Sequence, residues 1–423
     1  MRVMEDYRQV AGYIAARVRD GRVAVVVVSA RHGMSGELER MLAALGADVP
    51  DQAAAAVLAS ADQISAGLMT AALALQGVRA SLVTFDRLGW SAAGPAEASR
   101  LETVDPAALR DELRDATVVV LAGGQAVDRD GRLCMLGRNS SDLSCVAAAC
   151  AVGAAECEIF SDYPGVFTAD PRLVPAARPI PEVPYDFALA MAEHGARVVH
   201  SGAIKLAGRH RIAITLRGRP SEAASATRIA GVRAVQSRAL AAVVADQDGP
   251  VWAFPDSGQR DAAARNLAAS TQGIICHSDA TGAYLAATAA TTLRTTDREC
   301  SRFGKRTSLR LITIIRSGHA PLRMLVPQQD LSAFAQKRHE EIVGPVTAIS
   351  DQTTIAGTAP SQELCIRAQR GNCLASMPLR GRKWNSGYSD LLWYDVIMNL
   401  ISHPAARLRA TCWQFSLLTS ATR

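Results

Sequence analysis

Arg22-Val-Ala-Val-Val-Val-Val-Ser29 is an unbroken run of mostly β-branched residues with no polar alternation. A strand with one wet face alternates, so this run fits a strand covered on both faces, as in a parallel sheet between two layers of helices. Ala116-Thr-Val-Val-Val-Leu-Ala122, followed by Gly123-Gly124, repeats the pattern as a second buried strand. Outward from these two, helical spacing places Tyr7, Val10, Ile14 and Val18 on one stripe of residues 5–20. Further helices are expected over about 37–45, over 53–76 (one or two, Ala-rich), from Asp105-Pro106 to about 115, over 141–152 and over 186–194, with Asp105 as cap and Pro106 in the first turn. Strands are expected at 80–85, 156–160 and 212–216. Strand–helix alternation of this kind predicts an α/β fold, an open sheet with helices on both faces, over residues 1–217.

The texture changes after Arg217. Residues 218–230, beginning Gly218-Arg-Pro-Ser, read as a linker. Strand patterns return at 239–245, 273–277 and 309–315 (LRLITII), with helices at about 261–267 and 330–342. Residues 231–345 therefore read as smaller α+β modules of βαββαβ character. Residues 346–423 lack periodicity and read as an irregular tail.

Composition narrows the function. The 423 residues are 49% hydrophobic, 20% charged and 5% aromatic, with a mean hydropathy of +0.08. This excludes disordered and fibrous classes and predicts a multidomain globular chain. The net charge of +6 is spread without any Lys/Arg run interleaved with aromatics, so no nucleic-acid partner is expected. The apolar run at 23–30 is far too short to span a bilayer, and the charged Met1-Arg-Val-Met-Glu-Asp6 start does not read as a secretory signal. No membrane association is expected, and the expected location is cytoplasmic. Nine cysteines include no CxxC pair, and Cys134, Cys145, Cys150 and Cys157 sit in an Ala-rich stretch that reads as core. Neither a disulfide framework nor a protein-held metal follows. Of the 46 Lys+Arg only four are lysine, at 205, 305, 337 and 383. Lys and Arg are not interchangeable, so cationic chemistry before residue 205 must be arginine's.

Three segments carry candidate chemistry. Leu136-Gly-Arg-Asn-Ser-Ser-Asp142 lies just before the 141–152 helix. Helix-start N–H groups attract anions, and Arg138 could hold a carboxylate in a fork; the plainer reading is a capped polar helix start. Ser161-Asp-Tyr-Pro-Gly-Val-Phe-Thr-Ala-Asp-Pro-Arg172 follows a strand, where open α/β sheets gather ligands, and fits a nucleotide-embracing hairpin better than a plain connector. Gly195-Ala-Arg-Val-Val-His200 is a turn entering a helix, with His200 read as structural rather than as a base.

Together with three further segments, and in this order, these resemble the aspartokinases of the amino acid kinase superfamily over residues 1–217. The 161–172 loop is similar to TDVxGxYTADPR, Leu136–Asp142 to LGRGGSD, and Gly195–His200 to GAKVLH. Val25-Val-Val-Val-Ser-Ala-Arg-His-Gly-Met-Ser-Gly-Glu-Leu38 is similar to VVVSAMGKTTDEL, Asp62-Gln-Ile-Ser65 to GEQIS, and Ala122-Gly-Gly-Gln125 to AGFQG. The resemblance implies transfer of the terminal phosphoryl group of ATP, with Mg²⁺, to the side-chain carboxylate of aspartate or a similar acidic amino acid. It would be the first step toward lysine, threonine and methionine. Carried over, Ser161, Asp162, Phe167, Arg172 and Arg197 would contact the nucleotide. Ser35, Asp62, Arg138, Ser141 and Asp142 would surround the amino acid, with Arg138, Asp142 and Arg197 the catalytic set. Residues 231–345 would be ACT-like regulatory modules taking lysine or threonine as effector, and the protein a homo-oligomer.

Several charged positions depart from the family pattern. The GAK lysine is Arg197, the GEQIS glutamate is Asp62, the substrate-loop lysine position is Gly33, and Asn139-Ser140 replace two glycines. Met1–Val18 matches the helix after the family's N-terminal strand and K(F/Y)GG loop, so the kinase domain is expected to be N-terminally incomplete. Two readings stay open: an aspartate kinase, or a degenerate paralogue that binds an amino acid or nucleotide and regulates a partner, with a kinase for another acidic amino acid as a variant.

Overall fold

The computed structural model describes residues 4–20, 23–46, 48–161, 165–218, 226–231, 240–268, 273–288, 293–344, 399–401 and 411–416. Among them, nine strands form one sheet. Their order is Glu182–Pro184, Thr227–Ala230, Ala213–Arg217, Glu156–Ser161, Thr411–Ser416, Asn399–Ile401, Val23–Val28, Val118–Ala122 and Ala80–Val83. Val23–Val28, Val118–Ala122 and Ala80–Val83 run parallel, as do Ala213–Arg217 and Glu156–Ser161.

The β-branched runs do what their composition predicts. Val25, Val27, Val119, Leu121, Cys157 and Ile159 enter one core with helices Ala107–Asp115, Ser141–Val152, Tyr185–Glu193 and Ser201–His210. Val26, Val28, Val118, Val120 and Phe160 enter a second core on the opposite face, against helices Met4–Arg19 and Asp51–Leu75. This is the expected α/β sheet with both faces covered. The 53–76 stretch is a single helix, Asp51–Leu75, long and apolar enough to cross a bilayer. Its Met69 and Leu73 are fully buried in the second core. The cap position of helix Ala107–Asp115 falls on Pro106 rather than on Asp105, whose Oδ1 accepts from Ala107 N at 2.8 Å from one residue further out.

Two strand positions depart from the sequence reading. Within the span read as a linker, 218–230, Thr227–Ala230 is a strand pairing antiparallel with Ala213–Arg217 and parallel with Glu182–Pro184. Its four residues are too few to display a period. Thr227 Oγ1 also donates to Ile180 O (2.6 Å) and accepts from Val166 N (2.8 Å), tying the strand to the 165–180 loop. Within the span read as an irregular tail, Thr411–Ser416 lies parallel to Glu156–Ser161 over six residue pairs and also bridges Val26 at Trp413. Asn399–Ile401 lies antiparallel to Val23–Val25.

The second part holds two small antiparallel sheets. Val251–Phe254, helix Ser257–Ala268, Ile274–Asp279, Gly282–Ala287, helix Leu293–Cys300 and Lys305–Arg306 form a βαββαβ unit with spatial strand order 2-3-1-4. Trp252, Leu267, Leu285 and Cys300 pack its core. Ala241–Ala245, Leu309–Arg316 and Leu322–Pro327 form the other sheet, packed by helix Leu331–Val343. Ala169, Leu173 and Val174 of the first part bury into that second core beside Val243, Ile312 and Leu331.

Candidate active site

The parallel strands end at one edge of the sheet, and the chain there is drawn tight. After Val118–Ala122, Gly123 lies so close to the start of helix Ser141–Val152 that a Cβ would meet Ser141 Oγ at 2.6 Å and its Cα at 3.1 Å. Gly124 takes a left-handed φ of 71° and its N–H donates to Ser144 Oγ (2.9 Å). Glycine is the residue that permits both. Ser29, at the end of Val23–Val28, donates through Oγ to Ser141 Oγ (2.7 Å), and Ala30 N donates to Asp62 Oδ1 (2.8 Å). His200 N donates to Asp142 Oδ2 (2.8 Å), while His200 Nδ1 accepts from Gly202 N (3.1 Å) as the cap of helix Ser201–His210. His200 is thus an anchor and a cap, and burial pulls its ring down to about 4, so it stays neutral.

Asp62, Ser141 and Asp142 are brought together by these bonds through Ser29 and Ala30. Burial pushes both carboxyls up to about 7, against backbone donors from Ala30 and Asp62 itself for Asp62 and from His200 for Asp142. Asp142 Oδ1 is buried and has no hydrogen-bond partner among the described residues. An unpaired buried carboxylate oxygen is costly and invites a cation or a donor.

The raised values have a sign. An unfolded aspartate ionises near pH 4, whereas these ionise near 7 in the folded chain, so the folded state holds the protons more tightly. Their contribution is full below about pH 4, declines as pH rises from 4 to 7, and is lost above, with a slope of up to about 1.4 kcal/mol per pH unit per group. Asp62→Asn keeps an acceptor for Ala30 N. Its Tm is expected to fall less between pH 5 and 7 than the parent's; equal slopes would contradict the assignment.

A second arrangement adjoins the first through residues 195–200. Residues 165–167, 169–172 and 195–198, with Met191 and residues 243–247, line a cleft of about 640 Å³ including its open mouth. Where a hairpin is expected within 161–172, Val166–Phe167 pairs antiparallel with Pro179–Ile180, so the hairpin reaches beyond Arg172, and residues 162–164 lie outside the described residues. Arg172 grips Asp170 with a fork (Nη2–Oδ2 2.6 Å, Nε–Oδ1 3.1 Å), which holds the Asp170 carboxyl below its usual range against its own burial. Arg197 pairs with Asp248. Thr168 Oγ1 bonds His339 Nε2 (2.8 Å), pinning the hairpin to helix Leu331–Val343.

Of the residues carried over by resemblance, Phe167, Arg172 and Arg197 share this cleft. Ser161 is buried at the end of its strand, and Asp162 lies outside the described residues. Arg138 and Ser35 are not buried with these residues: Arg138 Nε meets Glu39 Oε1 at 3.7 Å, both side chains half exposed, and Glu39 and Ser35 belong to helix Met34–Leu45. Asn139, where the family has glycine, keeps a left-handed φ of 55°, a conformation Asn tolerates better than most residues. Sequence reasoning missed Ser29 and Asp248, whose roles depend on partners 112 and 51 residues away. The Ser at the end of the 22–29 run was the available signal for Ser29.

The amino acid kinase family model matches residues 3–217, a little over half of the chain. Aspartokinase 2 of Bacillus subtilis is 33% identical over 218 residues, 51% of this chain and 52% of the relative. An aspartokinase of Thermus thermophilus is 34% identical over 214 residues, 51% and 53%. The chain spans about half the length of the curated relatives it matches. The fold is like that of E. coli aspartokinase III in complex with aspartate and ADP, with a TM-score of 0.56 at 20% identity over 73% of this chain and 80% of that one. It is also like the same enzyme in complex with lysine and aspartate, with a TM-score of 0.54 at 19% identity, 78% and 95%. With its sheet, its six ordered motifs and the family match over the same residues, the chain belongs to the amino acid kinase family.

Proposed function

We propose that the chain is an aspartate kinase, transferring the terminal phosphoryl group of ATP to the side-chain carboxylate of aspartate. The observation that carries this reading is the meeting of residues 165–172 and 195–198 in one cleft, linked through His200 to the buried Asp142. The aspartokinase names of the relatives and the aspartate and ADP held by the E. coli structure support it.

The residues fit such ligands. Arg172, held by Asp170, and Arg197, paired with Asp248, place guanidinium charge in the cleft for phosphate oxygens, and Phe167 adds an apolar wall. Asp142 Oδ1, buried without a partner, suits the ammonium group of an amino acid, and Arg138 its α-carboxylate. Mg²⁺ would travel on the phosphates and spread their charge, since no group of three or more His, Cys, Asp or Glu converges among the described residues. The task of the protein in this transfer is positioning and charge stabilisation, not covalent chemistry.

The βαββαβ unit and its neighbouring sheet serve, in this reading, as ACT-like regulatory modules for lysine or threonine, in a cytoplasmic homo-oligomer. The lysine held by E. coli aspartokinase III supports the effector class. The competing reading, binding without turnover, draws on Arg197, which stands where the family has lysine and is engaged by Asp248. Steady-state ADP release separates the two. The kinase reading expects release that requires aspartate; nucleotide binding with no aspartate-dependent release would establish the other.

A further inference from the structure

Resting on the reading of the 165–198 cleft as a nucleotide site, we propose that the turn at 246–249 is a latch across it. In this latch Asp248 holds the Arg197 guanidinium where a nucleotide phosphate would sit.

The turn is a built feature. Asp246 is 3% exposed, and its Oδ1 accepts from Asp248 N (3.2 Å) and Gly249 N (2.9 Å). A Cβ on Gly195 or on Gly249 would meet Asp246 Oδ2 at 2.6 Å, so the 195–198 segment and the turn are fitted against the same carboxylate. Arg310 Nε donates to Gln247 O at 2.8 Å, fixing the turn from behind. From this base the turn reaches both walls: Gln247 Nε2 approaches Asp170 Oδ2 (3.4 Å), and Asp248 pairs with Arg197. The strand that feeds the turn is itself joined to the hairpin, Val243 N donating to Thr168 O at 2.8 Å beside an Ala169–Val243 bridge.

The chemistry is a competition. Asp248 engages Nη2 of Arg197, a donor that a phosphate oxygen at the same edge of the guanidinium would also use. The Arg197 side chain is 17% exposed and the Asp248 side chain 62%. The carboxylate is therefore the partner that can leave into water while the arginine stays in the cleft. Asp248 acts only through Arg197 and is a positioning residue.

ADP binding by calorimetry on the full chain, its Asp248→Asn and Arg197→Ala variants and the double variant tests the latch. An exposed pair of this kind is worth little, so Asp248→Asn is expected to bind ADP about 3–10-fold more tightly. Arg197→Ala is expected to bind it more weakly, and the double variant to match Arg197→Ala, the gain vanishing with the arginine. A merely structural turn would not produce that cancellation. Unchanged or weaker binding by Asp248→Asn, or a gain that survives in the double variant, overturns the latch while leaving the nucleotide site standing. No ADP binding by any of the four chains overturns the nucleotide reading and the latch with it. Asp248→Asn retains a side-chain amide at an exposed position, and its Tm against the parent's confirms that the fold is unchanged.

Discussion

Asp142→Asn is expected to fold normally and to lose the amino acid substrate. Asp142 is 5% exposed and carries two different oxygens. Oδ2 is committed to His200 N, a bond that the Asn carbonyl can accept, so the link between the two halves of the site survives. Oδ1 has no donor, and burial has raised the group to about 7. An incoming ammonium would supply the missing charge and keep the carboxylate ionised; Asn cannot attract it. Losing one member of a buried charge pair costs about 2–5 kcal/mol, so kcat/KM for aspartate should fall on the order of 10²-fold or more. ADP affinity should stay within a few-fold of the parent's. At pH 8, where the parent bears the cost of an ionised buried carboxylate, the Tm of Asp142→Asn should be no lower. Asp142→Ala, which leaves His200 N–H without its acceptor, should melt lower than either. Retention of kcat/KM within threefold in Asp142→Asn would remove Asp142 from the site.

Ending the chain after Met398 is expected to abolish cooperative folding. Thr411–Ser416 lies at the middle of the sheet, in six-residue parallel register with Glu156–Ser161 and bridged to Val26, with Asn399–Ile401 beside it. Their removal divides the sheet into a Val23–Val28, Val118–Ala122, Ala80–Val83 part and a Glu156–Ser161, Ala213–Arg217, Thr227–Ala230, Glu182–Pro184 part. Ser29, Ala30 and Asp62 belong to the first, and residues 165–172 and 195–198 to the second. Two central strands would be left with unpaired backbone groups, which costs stability and creates a template for aggregation. Circular dichroism should show a broad, noncooperative melt, and the truncated chain should not release ADP. Trp413→Pro is the finer test, because proline removes one backbone donor from the centre of the ladder. A truncated chain with the parent's Tm would show that the sheet does not depend on these strands.

The sheet and its buried cluster were legible in the sequence wherever burial was two-sided. Val23–Val28 and Val118–Ala122 announced themselves because a strand hidden on both faces needs no polar alternation, and Ser141–Val152 because its small residues admit close packing. The short strands Trp90–Ala93, Arg100–Val104, Gln125–Val127 and Leu133–Met135 did not, since three to five residues with exposed polar neighbours carry no period. Thr227–Ala230 and Thr411–Ser416 were hidden for a different reason. Each is specified by the partner waiting in the sheet rather than by its own pattern. In the site, motif order located Phe167, Arg172 and Arg197, but the ties of Ser29 to Ser141 and of Asp248 to Arg197 are long-range and have no local signature.

Trapping of the product reads phosphoryl transfer to aspartate itself. Hydroxylamine added to the full chain with ATP, Mg²⁺ and aspartate intercepts an acyl phosphate as a hydroxamate, and glutamate in place of aspartate is the control. Aspartyl hydroxamate is expected in step with ADP release, strongly reduced with glutamate and in Asp142→Asn. ADP binding without any hydroxamate would contradict the kinase reading, leaving a protein that holds the nucleotide but does not transfer its phosphoryl group.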